Sequence, residues 1–111
     1  MPRDVEDDTI KLVLSGLTLS AIQAEATRAH FLHGNNSMLF GDQSQERRLA
    51  ILTEEVGEVA KELNEASIRA TQANLTPRIN DEFLDRDALV KELIQVAAMA
   101  ASWVEALEGI R

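Results

Sequence analysis

Apolar residues along this chain recur at helical spacing rather than in alternation, and no Val/Ile/Thr-rich alternating run stands out. The pattern therefore predicts an all-α chain without strands. Gly and Pro fall between the periodic stretches, where they act as punctuation. A short first helix is expected from about Asp4 to Leu14, ended by Ser15-Gly16. A second spans roughly Leu19 to Leu32, with Thr18 as its N-cap and Gly34 as its stop. A polar loop follows, and then a long helix from about Gln45 to Ala70. The segment Thr71 to Leu84 contains Asn74, Thr76-Pro77 and Asn80-Asp81, so it reads as a connection. The last helix starts after Asp85 or Asp87, either a good N-cap, and runs to Glu108 before Gly109.

Two apolar seams keep heptad spacing in the long helices. They are Leu49, Leu52, Val56, Val59, Leu63 and Ala66, then Leu89, Leu93, Val96, Ala100, Trp103 and Leu107. Packed through these seams, the helices form an antiparallel bundle. Between Leu93 and Val104 only Gln95 and Ser102 are polar. A helix apolar on all sides is buried on all sides, and a chain of 111 residues cannot surround it. An oligomer with this helix in its interface is expected.

Length sets the frame as a single domain over residues 1–111. Lys and Arg number 11 against 19 Asp and Glu, a net charge of −8. That balance argues against nucleic acid, which proteins bind by neutralising phosphates, and against an anionic membrane surface. The absence of Cys excludes disulfide scaffolds, thiolate metal sites and thiol nucleophiles. Aromatics at 4% do not make a base-stacking platform. MPRDVEDD has no apolar stretch after its basic residue, and no run approaches ~18 apolar residues, so neither a secretory signal nor a membrane span is expected. The expectation is an acidic cytoplasmic domain.

The acids have a geometry. At ~100° per residue, Glu55 lies about −100° from Val56 and Glu58 about −160°. Glu92 and Gln95 stand in the same relation to Leu93. Both helices thus carry oxygen-bearing side chains at i and i+3 beside an apolar stripe, and antiparallel packing could bring all four to one site. Mg²⁺ takes such hard oxygen ligands. The alternative is that these acids are solvated or pair with Lys and Arg on the helix surfaces. Like charges at i,i+4 (Glu54/Glu58, Glu58/Glu62) cost a few tenths of a kcal/mol each, which a cation would offset. Gln95, in an apolar run, needs hydrogen-bond or metal partners. Gly57, at a mid-helix cost of roughly 1 kcal/mol, suits a place where a neighbouring helix or ligand approaches the backbone. His30 and His33 read as solvent-facing or capping residues near Gly34, and Trp103 as packing.

Glu54-Glu55-Val56-Gly57-Glu58 followed by Glu92-Leu93-Ile94-Gln95 resembles the EExxE…ExxD signature of the MazG-like all-α nucleoside triphosphate pyrophosphohydrolases, over roughly Arg47 to Leu107. The resemblance implies a four-helix-type antiparallel bundle, assembled as a homodimer or homotetramer, with Mg²⁺ (Mn²⁺ as the alternative) between the helices. It implies hydrolysis of a (deoxy)nucleoside triphosphate to monophosphate and pyrophosphate. Glu55, Glu58 and Glu92 match the family's metal-binding carboxylates and Glu54 the leading Glu, which makes these four the expected catalytic acids. The family's last Asp is Gln95 here, whose carbonyl can ligate Mg²⁺ but brings no charge. The half-motifs are also separated more widely than in the family, with Ala73 to Leu84 as the insertion. Because a −8 chain repels a triphosphate, divalent cations must screen the site. Arg48, one heptad before Glu55, is the candidate basic residue for the substrate. His33, Asn35 and Asn36 precede the motif helix and are candidates for base contact, with His33 and Asn36 carried forward as substrate-binding. Lys61 and Lys91 point away from the acids. Two other readings stand beside this one: a catalytically weak or inactive nucleotide- or metal-binding relative, and a purely structural helical oligomer.

Overall fold

The computed structural model describes residues 13–40, 43–73 and 82–109. The helix expected from Asp4 to Leu14 lies almost wholly outside the described residues, as does most of the connection between Ala73 and Leu84. The described residues form three helices and no strand. Helix α1 is Gly16–His33, α2 is Gln45–Gln72 and α3 is Arg86–Glu108, with a 3-10 turn at Gly34–Asn36 after α1.

Local chemistry explains each boundary. Helix α1 begins at Ser15 rather than Thr18, because Ser15, in an extended conformation, offers its Oγ to the Thr18 N–H at 3.2 Å. Thr18 is thereby inside the first turn, where its own Oγ1 accepts from Ser15. At the other end Gly34 adopts φ 55°, a conformation that side chains disfavour. Ser44 caps α2 by accepting from Arg47 N at 3.1 Å, and Asp85 caps α3 by accepting from Ala88 N at 3.0 Å. Gly109 ends α3 in the left-handed region, its N–H returning to Glu105 O.

Three contacts fix the direction of α2 against α3. Trp103 Nε1 donates to Gln45 Oε1 at 2.6 Å, Gln95 sits beside Glu55, and Arg69 donates to Phe83 O at 2.6 and 3.0 Å. As position advances on α2 it recedes towards and past the start of α3, so the two are antiparallel. Helix α3 is central: it packs on both α1 and α2, whose backbones do not pack on each other. A cleft opens between the flanking helices, with α3 as its floor.

Ala29, Met38, Ala98 and Met99 form the core, with Ile22, Ala26, Ile51, Leu52 and Trp103 packed around them. Ala66 and Ala70 are buried further along α2. Among the described residues every fully buried apolar side chain is Ala or Met. Small residues let helix axes approach closely.

Both expected seams lie partly inside, with Leu52, Val59, Leu63 and Ala66 of the first and Leu89, Val96, Ala100 and Trp103 of the second buried or half-buried, but each is rotated enough to leave some members out. Leu49 (55% exposed), Val56 (50%), Leu93 (48%) and Leu107 (64%) face outward, while Arg48, Leu52, Glu55, Val59, Leu63, Ala66 and Ala70 are buried or half-buried. Two causes combine. Alanines at 66, 70 and 98 permit a closer approach than leucines would, and Arg48 is tied to the preceding loop. Burying Leu49 instead would pull Arg48 from its partners. Gly57 does not serve a close approach among the described residues: a Cβ there meets none of their atoms within 4 Å. None of the described helices is long and apolar enough to cross a membrane.

Candidate acidic cleft

The cleft between α1 and α2 has a volume of about 460 Å³. Helix α1 supplies Glu25, Arg28, His30 and His33, and the following loop supplies Asn36, Ser37 and Met38. Helix α2 supplies Arg47, Ile51, Glu54 and Glu55, while Gln95, Met99 and Ser102 of α3 form the floor. Five of the residues singled out in the sequence (Glu54, Glu55, Gln95, His33 and Asn36) therefore line one cavity. Glu58 and Glu92 are not among its lining residues, though both act on it through Glu55.

Glu55 is the electrostatic centre. It occupies the inner face of α2, two turns after Arg48, and is half-buried. Its carboxyl is held above the usual value, first by burial and then by the nearby charges of Glu92, Glu54, Glu58 and Glu25. Opposite, the inward atom of the Gln95 amide lies 3.0 Å from Glu55 Oε2 and 3.3 Å from Glu92 Oε2. Hydrogen bonding assigns this atom as Nε2, which donates to both carboxylates. Gln95 thus finds the partners that its place in an apolar run requires.

Glu25 is a third acid lining the cleft, one that periodicity did not reveal, since it comes from α1. It accepts from Arg28 at 2.9 and 2.6 Å. The Arg28 hydrogen bond, outweighing desolvation, holds its carboxyl below the usual value, with the charges of Arg28 and Lys91 helping.

Arg48 is not in the cleft. It is 1% exposed, and its guanidinium donates to the carbonyls of Met38 (2.8 Å), Gln43 (2.9 Å) and Phe40. This corrects the expectation of a substrate contact: all three nitrogens of the guanidinium donate to backbone carbonyls and hold the loop that forms one wall. The cleft's cation on α2 is Arg47, which precedes Glu54 by two helical turns just as Arg48 precedes Glu55. Spacing alone could not choose between these pairs. His30 also differs from the solvent-facing reading, being half-buried with Nδ1 2.8 Å from Ser37 Oγ. It packs near the rings of Phe31 and Phe40, at 5.5 and 5.4 Å.

The donors at the acidic end suit a hard divalent cation. Glu55 and Glu92 offer carboxylate oxygens, and Gln95 offers an amide oxygen if it turns. Among the described residues, however, no group of three or more His, Asp or Glu side chains is gathered closely enough to hold a metal ion. Charge in the cleft is mixed, with Glu25, Glu54 and Glu55 against Arg28 and Arg47, and Arg28 paired to Glu25. Comparison with protein-family models, curated proteins and solved structures finds no match.

Proposed function

We propose that this protein is a Mg²⁺-dependent nucleotide pyrophosphohydrolase that hydrolyses a (deoxy)nucleoside triphosphate to the monophosphate and pyrophosphate. The observation that carries this reading is the meeting of Glu55, Glu92 and Gln95 from two antiparallel helices at a cleft that also bears Arg28 and Arg47. A volume of about 460 Å³ suits a small-molecule ligand, and mixed charge suits a polyanion arriving with its cation.

Glu55, Glu92 and Gln95, with Glu58 at the margin, would hold Mg²⁺ or Mn²⁺, and the cation would neutralise phosphate oxygens and polarise water. Arg47 and Arg28 bind phosphate oxygens as planar forks. For Arg28 this means exchanging its bond to Glu25. Glu54 lies on the cleft wall outside the Gln95 clamp and accepts a proton from the attacking water. His33 and Asn36, on the far wall, contact the base or sugar.

A screen of common and modified triphosphates for pyrophosphate release, with and without Mg²⁺ or Mn²⁺, tests the reading. Metal-dependent release supports it, and no release from any of them refutes it. A second reading, a relative that binds nucleotide and metal with little turnover, draws on the uncharged Gln95 and on the absence of a three-acid group among the described residues. Gln95→Asp separates the two: activity gained in a silent protein favours the second, activity lost in an active one the first. The outward apolar stripes support assembly as a homodimer or homotetramer.

A further inference from the structure

The geometry points to Gln95 as a two-position residue, its amide standing in for the cation in the metal-free protein and turning to become a ligand when a divalent cation enters. This inference rests on the divalent-cation reading above and concerns how that site is kept when empty.

The inward atom of the amide has two neighbours, Glu55 Oε2 at 3.0 Å and Glu92 Oε2 at 3.3 Å, and both are acceptors. With nitrogen inward, the amide donates one N–H to each. With oxygen inward and both carboxyls ionised, three acceptor oxygens face one another, an arrangement that a cation among them stabilises. The terminal torsion of Gln is broad and roughly two-fold, so the turn needs no movement of α2 or α3. Only a carboxamide does both jobs, and Gln has the longer reach of the two side chains that carry one. An Asp or Glu at this position is acceptor-only when ionised and adds to the repulsion between Glu55 and Glu92. An apolar residue supplies neither donors nor a ligand.

Two consequences follow. The metal-free fold stays intact although two carboxylates converge between packed helices. A cation must also displace two hydrogen bonds to enter, so affinity is lower than three carboxylates would give.

The test follows the Gln95 side-chain NH₂ by ¹H–¹⁵N NMR in the wild-type protein, with Gln95→Glu assigning the signal and serving as the binding variant. In the metal-free wild type its protons exchange with water at least tenfold more slowly than those of an exposed Gln, and saturating Mg²⁺ removes this protection. Gln95→Glu binds Mn²⁺ at least tenfold more tightly by calorimetry. It also lowers the Tm of the metal-free protein and not that of the Mg²⁺-loaded protein, whereas a purely structural Gln95 would lower both. If Mg²⁺ binds the wild type while the protection persists, or if Gln95→Glu binds no more tightly, the inference fails and the cation site survives. If neither Mg²⁺ nor Mn²⁺ binds the wild type, the cation reading falls and the inference with it.

Discussion

Replacing Arg48 by Ala leaves the carbonyls of Met38, Phe40 and Gln43 without the guanidinium that now serves all three. A hydrogen bond to a charged group contributes about 1.5–3 kcal/mol net, so three set an upper bound of about 9 kcal/mol. The bonds to Met38 and Gln43 are buried and that to Phe40 partly so, and a surface loop can turn some freed carbonyls to water. We therefore expect Arg48→Ala to cost about 3–5 kcal/mol, close to what the two buried bonds represent at about 1.5–3 kcal/mol each. That is a large share of the ~5–15 kcal/mol typical of a domain. Arg48→Lys keeps the charge but not the planar fork and reaches fewer carbonyls, so about half the loss remains. Urea unfolding followed by circular dichroism measures both, and at roughly 4 °C per kcal/mol Arg48→Ala melts about 12–20 °C below wild type. If Arg48 were instead a surface contact for phosphate, both variants would stay within ~0.5 kcal/mol of wild type, and Lys would retain part of any nucleotide affinity. That result would refute the assignment of Arg48 to the loop.

Other expectations are as direct. Gly57→Ala raises stability by about 1 kcal/mol in thermal unfolding, since a Cβ meets none of the described residues within 4 Å and Ala is the better helix former; a loss would mean that something else packs there. Glu55 has a raised pKa, so the native state holds its proton to higher pH than the unfolded chain and metal-free stability declines as pH rises from the unfolded value through the folded one. Glu55→Gln removes that decline, and a Tm-versus-pH series checks it. Glu25, with a lowered pKa, has the opposite sign: its contribution is present above the unfolded value and lost as pH falls through the folded one. Leu93→Lys, on an outward face, shifts the protein to a smaller species in sedimentation velocity, and an unchanged assembly would move the interface elsewhere.

The helices were legible because their ends carry residues with one physical use. Asp85 and Ser44 cap by accepting a backbone N–H, and Gly34 and Gly109 take positive φ. What periodicity could not supply was the azimuth of each helix. It counts Leu49, Val56 and Leu93 as inward because they are apolar, and it has no means of telling contact within the chain from contact with another. The azimuth followed from alanines that admit close approach and from Arg48, whose partners are backbone carbonyls and so leave no trace in a side-chain pattern. The i,i+3 spacing did identify the pairs that include Glu55, Glu92 and Gln95 as neighbours across two helices. It missed Glu25 and Arg28, which reach the same cleft from α1, because no repeat links α1 to α2.

The polarity of α2 and α3 unites these observations. They hold Glu55, Glu92 and Gln95 inside beside the half-buried Leu52, Val59, Leu63 and Val96, and they leave Leu49, Val56, Val90, Leu93, Val104 and Leu107 exposed. Both choices cost free energy in a single chain, since burying a Leu or Val side chain gains about 1.5–3 kcal/mol and burying a carboxylate is unfavourable unless it is partnered. Two separate compensations are therefore needed. On the inside it is the amide of Gln95, or a cation in its place. On the outside, the homo-oligomer proposed above would supply it, since a copy of the same chain carries the same apolar surface. The two are coupled through the same helices: any rotation that buried the outer stripes within one chain would carry Glu55 and Glu92 out of register and dissolve the acidic cleft. The exposed aliphatic residues and the facing carboxylates are thus two results of one setting of the helices.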